Sequence, residues 1–330
     1  MAFDVGLERP DFDFDNLRRR RETALAAPLE AGDLLSLTSP TLLLDALSPG
    51  GKSDESPSPA LYRPANLDLL NLVKTRSGWR SFSVRLVERL FGGQDRWAQV
   101  WVAEVEHKEH VVARVVLKLL VEALFWKPDA VMPWIPAEDS MAAELKAYAA
   151  LRPVQGQDVA HCYGGFRFPM PWGEDAPGII LEDLSTTTTS SWKFLQGRRN
   201  ELTIDAVDPF MCAAHDLLHR LQRLGIADFA IKALDLLVLN PPSLLQPSFV
   251  LVDFGLAVNA QDFKEAHERD IEENGAMGEP WQSHADYKLQ CHLQAAGGDV
   301  VSEWVEFERR QCRGYFVDVG WYDANGEQDD

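Results

Sequence analysis

The stretch "FVLVDFGLA", residues 249–257, decides the fold. Its four apolar residues in a row predict a short buried strand that stops at Asp253. A carboxylate at the end of a buried strand is well placed to hold a hard cation, and Mg²⁺ prefers oxygen ligands together with phosphates. The stretch therefore predicts a strand with a metal-binding aspartate, Asp253, at its end.

A second apolar run, "LLVL" at 236–239, comes just before this strand, and the "NPPSLLQPS" between them predicts a hairpin loop. The stretch that leads into "LLVL" is "GIADFAIKALD", residues 225–235, and it carries two aspartates and one lysine. The order of these elements is an acidic loop, a strand, and then a strand that ends in Asp-Phe-Gly. This order is typical of proteins that bind phosphates and magnesium. The loop has alanine, however, where that chemistry needs a carboxylate.

The charge of the chain argues against two classes of partner. Its 330 residues include 32 basic and 51 acidic ones, which gives a net charge of −19. A field of this sign repels nucleic acid and anionic membranes. The longest apolar run is interrupted by Lys118 and Glu122, so we expect no membrane span. Four widely spaced cysteines form no metal or disulfide pattern, and we expect a cytoplasmic protein, with the nucleus as the alternative.

The composition and the hydrophobic pattern of the sequence divide the chain into three parts. Residues 1–80 are expected to be an extension that contains a Ser/Pro/Gly-rich linker, "LSPGGKSDESPSPALYRP" at 47–64. Residues 81–184 predict five short strands with one helix inserted after the third strand, which makes a small, mainly antiparallel lobe. Residues 185–330 are more helical and end in a polar, acidic tail.

Lys118 lies inside an apolar strand, "VVLKLL" at 115–120. A buried lysine is costly unless it is paired, and Glu144, in the middle of the helix predicted over 136–151, is a natural partner. A lysine held by a glutamate can reach nucleotide phosphates. The alternative is that the strand is an exposed edge and that Lys118 points into solvent.

The order of these pieces resembles the protein kinase superfamily, in the style of divergent fungal kinase-like proteins, over roughly residues 81–260. The resemblance implies an α+β, bilobal fold with a small antiparallel-sheet lobe and a shortened, mainly helical lobe. The pieces that carry it are the lysine strand, the glutamate helix, the strand that runs into the hinge, the helix before the catalytic loop and the metal-binding strand: "VVLKLL", "AAELKAYAAL", "GIILEDL", "LLHRLQRLGI" and "VLVDFGLA".

The resemblance also implies roles for individual residues, with ATP and Mg²⁺ as cofactors. Lys118, paired with Glu144, would bind the phosphates of ATP. Asp253 would hold Mg²⁺. Backbone groups near Glu182 and Leu184 would meet the adenine ring.

The phosphate loop departs from the family pattern G-x-G-x-x-G-x-V. In "GGQDRWAQV", residues 92–100, only Gly93 and Val100 match, and Asp95 and Ala98 replace the other two glycines. Fewer glycines leave the backbone amides less freedom to wrap around phosphates. Nucleotide binding is therefore expected to be weakened at this loop.

The catalytic loop departs further from the family pattern H-R-D-x-x-x-x-N. Asp228 stands in the place of the histidine, and Ala230 in the place of the base. Lys232 matches the lysine that steadies the transferred phosphate, and Asp235, in the place of the asparagine, retains a carboxylate that can ligate Mg²⁺. Alanine cannot accept a proton. A two-residue shift would make Asp228 the base, but it would put Ala233 at the metal position.

The end of the chain is short for this family. "GEPW" at 278–281 matches poorly the motif that closes the activation segment in this family, and about fifty residues follow it. We therefore expect a kinase-like protein with impaired catalysis, a pseudokinase that still binds ATP and Mg²⁺ and acts through an unidentified protein partner. The alternatives are an active, atypical phosphotransferase that uses Asp228 or Asp235, and an interaction scaffold that binds no nucleotide.

Overall fold

The computed structural model of the chain describes residues 14–37, 39–42, 62–74, 82–93, 96–125, 135–228, 231–240, 242–255, 257–259, 291 and 293–304. The fold is α+β with an antiparallel sheet, which confirms the α+β part of the prediction, while the bilobal, kinase-like arrangement stays a prediction. The chain divides into two compact units, Met1–Thr186 and Thr187–Asp330. None of the helices in the described part of the chain is both long enough and apolar enough to cross a membrane.

The described part of the first unit contains three α-helices and seven strands. In chain order they are α1 (Phe14–Ala26), β1 (Leu34–Ser36), β2 (Ser39–Leu42), α2 (Leu67–Lys74), β3 (Phe82–Phe91), β4 (Gln99–His107), β5 (His110–Leu119), α3 (Ala137–Ala150), β6 (Cys162–Pro169) and β7 (Asp175–Glu182). Two short 3₁₀ turns, Glu122–Leu124 and Arg152–Val154, flank α3 on its two sides.

All seven strands join one antiparallel sheet in the order β1-β3-β4-β5-β7-β6-β2. The two edge strands, β1 and β2, follow each other in the sequence. Three peptide units span at most about 11 Å, so Ser36 and Ser39 cannot be farther apart than that. The sheet must therefore curl until its two edges approach each other.

The two faces of the sheet bury different sets of side chains. On one face Trp101, Leu117 and Ile180 lie directly opposite one another on β4, β5 and β7. The next row, on the other face, contains Val100, Lys118 and Ile179. Because successive side chains of a strand point to opposite faces, the first row contributes to a large apolar core and the second faces away from it.

Helices α1 and α2 and strand β1 supply part of that core. Ala24, Leu35, Leu69 and Val73 are buried in it together with apolar residues of β3, β4 and β5. These residues come from the part of the chain that the sequence predicts as an extension. The described part of residues 1–80 thus packs against the sheet, while most of the predicted linker, residues 47–61, lies outside the described residues.

The described residues of the second unit form two α-helices and five short strands, followed by helical residues at 293–297 and 299–304. The elements are β8 (Thr188–Ser190), α4 (Ser191–Gly197), α5 (Ile204–Arg223), β9 (Ile226–Asp228), β10 (Leu236–Leu239), β11 (Phe249–Leu251) and β12 (Ala257–Asn259). Strands β10 and β11 form the predicted antiparallel hairpin, β8 pairs with β10, and β9 pairs with β12.

Helix α5 organises the core of the second unit. Buried residues recur along it at helical spacing, so one face of the helix is apolar. The Phe210 ring contacts the rings of Phe194 and Phe249, with centroids 5.6 and 4.8 Å away. The indole Nε1 of Trp304 donates a hydrogen bond of 2.9 Å to Asp208, which ties the last described helical residues to α5.

Helix α2 offers a direct test of its place in the core of the first unit. We expect Leu69→Ala, at a fully buried position, to lower the free energy of unfolding by about 2–5 kcal/mol. Leu67→Ala, on the same helix but 70% exposed, should change it by less than about 0.5 kcal/mol. Urea denaturation of both variants measures the difference. Equal effects would mean that α2 does not belong to the core.

Candidate functional site

Lys118 and Glu144 form a buried ion pair in the first unit. The Lys118 ammonium lies 2.7 Å from a Glu144 carboxylate oxygen, and the two side chains are 7% and 0% exposed. Strand β5 lies between β4 and β7, so it is an interior strand of the sheet. The pairing predicted from the sequence is therefore present, and the alternative of an exposed edge strand does not apply.

A glycine on β6 lets helix α3 approach this face of the sheet. Gly165 lies opposite Ile179, which lies opposite Lys118, so all three belong to one row. A Cβ atom at Gly165 would lie 2.6 Å from the Leu145 Cδ1 atom and 3.1 Å from the Met141 Sδ atom, both on α3. The missing side chain thus lets α3 pack closely enough to bring Glu144 to Lys118.

The first turn of α3 is held by two glutamates rather than by its own N-cap side chain. The backbone N–H of Ala137 donates to the Glu122 carboxylate at 2.8 Å. The N–H of Glu122 donates in turn to the Glu174 carboxylate at 2.7 Å. Glu174 also accepts from the Trp172 indole at 2.8 Å, and burial raises the pKa of its carboxyl above the ordinary value. These bonds fix where α3 begins, and so where Glu144 lies.

Glu182, at the end of β7, is held by an arginine from the N-terminal part of the chain. The Arg63 guanidinium lies 2.8 Å from the Glu182 carboxylate, and both side chains are largely buried. The other carboxylate oxygen of Glu182 accepts from the N–H of His161 at 3.1 Å. The N–H of Glu182 itself donates to the carbonyl oxygen of His161 at 2.8 Å. Both the backbone and the side chain of Glu182 are thus fixed.

Arg63 also ties this strand end to the loop before β6. Its guanidinium donates to the carbonyl oxygens of Gln157 and Val159, at 3.1 and 3.2 Å. Arg63 was missed from the sequence because it lies in the predicted extension, where no periodicity marks it. Its only sequence signal is its place in "YRP", just after the Ser/Pro-rich stretch.

The next residues after β7 are held by a second arginine. Asp183 accepts from the Arg114 guanidinium at 2.8 Å and from the N–H of Ser185 at 2.9 Å. Leu184, the other residue expected near the adenine ring, is buried. The segment predicted to meet adenine is therefore a well-anchored piece of chain.

The loop between β3 and β4 turns at a pair of glycines. Gly92 and Gly93 have φ values of +135° and +130°, which favour glycine. Ala98, at a position where the family pattern has glycine, is buried, and Asp95 lies outside the described residues. Val100 lies directly opposite Lys118 and on the same face. Of the two residues that match the family pattern, Gly93 thus shapes the turn and Val100 neighbours the lysine.

In the second unit, Asp253 has an unusual backbone conformation. It follows β11, is exposed and has a φ of +69°, which is uncommon for a residue other than glycine. Its carboxylate accepts a hydrogen bond of 3.3 Å from the N–H of Gly255, and Phe254 beside it is fully buried. Backbone strain of this kind is concentrated at functional sites.

Asp235 lies at the same end of the hairpin as Asp253. It directly precedes β10, and its carbonyl oxygen accepts from the N–H of Val252 at 3.0 Å. Its carboxylate accepts from the N–H of Lys232 at 3.0 Å. The pairing of β10 with β11 thus puts the backbones of the two candidate metal ligands at one end of the hairpin, with the exposed Lys232 in the turn before Asp235.

The rest of the candidate catalytic loop is described only in part. Asp228 lies in β9, with its backbone opposite Ala257 of β12, while its side chain, Phe229 and Ala230 lie outside the described residues. Ala233 is fully buried, and its carbonyl oxygen accepts from the Ser191 hydroxyl at 2.6 Å. An alanine offers no side-chain ligand, so the carboxylate available at the start of β10 is that of Asp235.

Among the described residues, no group of three or more His, Cys, Asp or Glu side chains is arranged to hold a metal ion. Magnesium usually keeps several waters and binds to one or two carboxylates plus the phosphates of a substrate. Asp235 and Asp253 would offer two carboxylates, the number that such a site takes from the protein. The donor set suits an ion that arrives with a phosphate ligand.

The buried ion pair can be tested by breaking it from one side. We expect Lys118→Met to lower the free energy of unfolding by about 3–5 kcal/mol, because it leaves the Glu144 carboxylate buried without its cation. The double variant Lys118→Met, Glu144→Leu should be more stable than the single one. Lys146→Met, at an exposed position of α3, is the control and should cost less than about 0.5 kcal/mol. Equal losses in denaturant titrations of K118M and K146M would contradict this account.

The two arginines that contact the end of β7 should differ in how much they contribute to the free energy of unfolding. We expect Arg63→Ala to lower the unfolding free energy by about 3 kcal/mol, since it leaves the largely buried Glu182 carboxylate without its cation. Arg114→Ala also removes the cation of a largely buried carboxylate, that of Asp183, but its own guanidinium is 45% exposed and makes none of the carbonyl contacts that Arg63 makes, so it should cost less, about 1–2 kcal/mol. Chemical denaturation of both variants checks the order, and the reverse order would refute it.

No model of a known protein family matches the sequence, and no curated protein matches it significantly.

Proposed function

We propose that this protein is a divergent, kinase-like protein with impaired catalysis, which binds ATP with Mg²⁺ and acts through a protein partner. The observation that supports this most is the buried ion pair between Lys118 and Glu144. Buried ion pairs are often no more stabilising than apolar residues of the same volume. Two charges kept inside an apolar sheet are therefore better explained by a ligand that uses the lysine than by stability alone.

In this proposal the first unit corresponds to the small lobe and binds the nucleotide's phosphates and base. Lys118 would contribute the positive charge, and Glu144 would hold it in place. Backbone groups near Glu182 and Leu184 would contact adenine. The anchoring of Glu182 and Asp183 by arginines supports this role, because a preorganised segment loses less entropy on binding.

The second unit would correspond to the shortened large lobe and hold the metal. Asp253 and Asp235 would each offer a carboxylate to Mg²⁺, while ATP phosphates and water complete its shell. Lys232, in the turn before Asp235, would approach the terminal phosphate. The left-handed backbone at Asp253 supports this role, because it is the strained conformation expected of a functional residue.

Catalysis would be slow because the expected proton acceptor is replaced. Ala230 has no group that can take a proton from a substrate hydroxyl. A positioned base typically contributes about 10²–10⁴-fold to the rate. The proposed output is therefore a nucleotide-dependent shape that a partner recognises.

A thermal-shift experiment tests the proposal. We expect millimolar ATP with Mg²⁺ to raise the melting temperature by about 5 °C, because a ligand that binds only the folded state stabilises it. Asp253→Asn should abolish the contribution of Mg²⁺ but preserve the fold, since asparagine tolerates a positive φ. Asp299→Asn, at another exposed aspartate of the second unit, should keep the full shift.

The alternative functions give other results in the same assays. Transfer of a radiolabelled γ-phosphate that disappears in Asp228→Ala or Asp235→Ala would favour an active, atypical phosphotransferase. No thermal shift with ATP, with or without metal, would contradict nucleotide binding. That result would leave an interaction scaffold.

A further inference from the structure

We propose that Arg96 is a phosphate-binding residue in the loop that joins β3 to β4. Its guanidinium would take over the role of the backbone amides that a glycine-rich loop offers to a triphosphate. This inference rests on the proposed function, because the ligand is ATP. It goes further by assigning the contact to a side chain that the family pattern does not mark.

The sheet register puts Phe91, the aromatic partner of Arg96, on the same face as Lys118. Phe91, Val100 and Lys118 lie directly opposite one another on β3, β4 and β5, so their side chains share one face. Two strand spacings separate Phe91 from Lys118, which is about 10 Å. The guanidinium carbon of Arg96 lies 5.4 Å from the centre of the Phe91 ring. The aromatic ring that holds this second cation thus belongs to the same face of the sheet as the lysine.

The backbone of Arg96 is fixed while its side chain is exposed. Its N–H donates to the carbonyl oxygen of Leu124 at 3.3 Å, and the neighbouring Trp97 ring contacts the Phe125 ring with centroids 5.0 Å apart. A fixed backbone with an exposed head group is what a ligand-binding arginine needs, because little order has to be gained on binding.

The charge of Arg96 is also less compensated than that of Lys118. The charge of Lys118 is paired with that of Glu144, whereas no carboxylate within the described residues forms an ion pair with Arg96. A guanidinium that lies over an aromatic ring keeps its N–H donors in one plane. Two of these donors can bind two oxygens of a phosphate at the same time. Arg96 therefore suits a phosphate better than it suits any described neighbour.

Arg89 provides a matched control on the same pair of strands. Its guanidinium carbon lies 5.7 Å from the centre of the Trp101 ring, a contact much like that of Arg96 with Phe91. Trp101 belongs to the opposite face of the sheet, which packs into the apolar core. If the arginine–aromatic contact were the whole role of Arg96, the two arginines would behave alike in ligand binding.

Calorimetric titration with ATP plus Mg²⁺, and separately with adenosine, tests the inference. We expect Arg96→Ala to weaken ATP binding by about tenfold or more, as for the loss of a charged hydrogen bond, and to leave adenosine binding unchanged. Arg96→Lys should recover part of the loss, since it keeps the charge without the fork. Arg89→Ala should bind both ligands like the wild type.

Two outcomes would overturn the assignment of Arg96 while leaving the proposed function intact. The first is ATP binding by Arg96→Ala that equals that of Arg89→Ala and the wild type. The second is an equal weakening of ATP and adenosine binding, which would indicate a structural role for the loop. Absence of ATP and adenosine binding in the wild type would instead overturn the proposed function, and the assignment of Arg96 with it.

Discussion

The ion pair between Lys118 and Glu144 is the constraint on which the first unit depends. A charge inside an apolar sheet is tolerated only when its partner reaches it with good geometry. That requirement explains why Gly165 lacks a side chain under α3 and why Glu122 and Glu174 hold the start of this helix. The residues around the pair thus serve one purpose, the placement of an ammonium group on the face of the sheet that is turned away from the main core.

The N-terminal part of the chain gives the sheet its second layer. Helices α1 and α2 cover the face opposite Lys118, and Arg63 joins the same part of the chain to the end of β7. One face of the sheet thereby carries the large apolar core, and the other packs against α3 and holds the buried ion pair. This division allows a site with buried charges to exist in a sheet that is otherwise apolar, because the cost is offset on the opposite face.

The sequence reveals some of these features and hides others for physical reasons. A lysine in "VVLKLL" needs a partner if its strand is buried, and two apolar runs around a Pro-rich loop favour a hairpin, so the ion pair and the hairpin that ends at Asp235 and Asp253 could be predicted. Arg63 and Arg96 were not, because their roles depend on contacts with residues far away in the sequence or across the sheet register. Strands β1 and β2 are three and four residues long, too short for periodicity to mark them.

The curled sheet has a consequence for how the chain is synthesised. Ser39 of β2 pairs with Arg167 of β6, a separation of 128 residues (167 minus 39). At a translation rate of about 5–20 residues per second, the ribosome needs roughly 6–26 s to produce the second strand after the first. During that interval Leu69 and Val73 have no complete sheet to pack against. The nascent polypeptide is then most open to aggregation and to capture by chaperones.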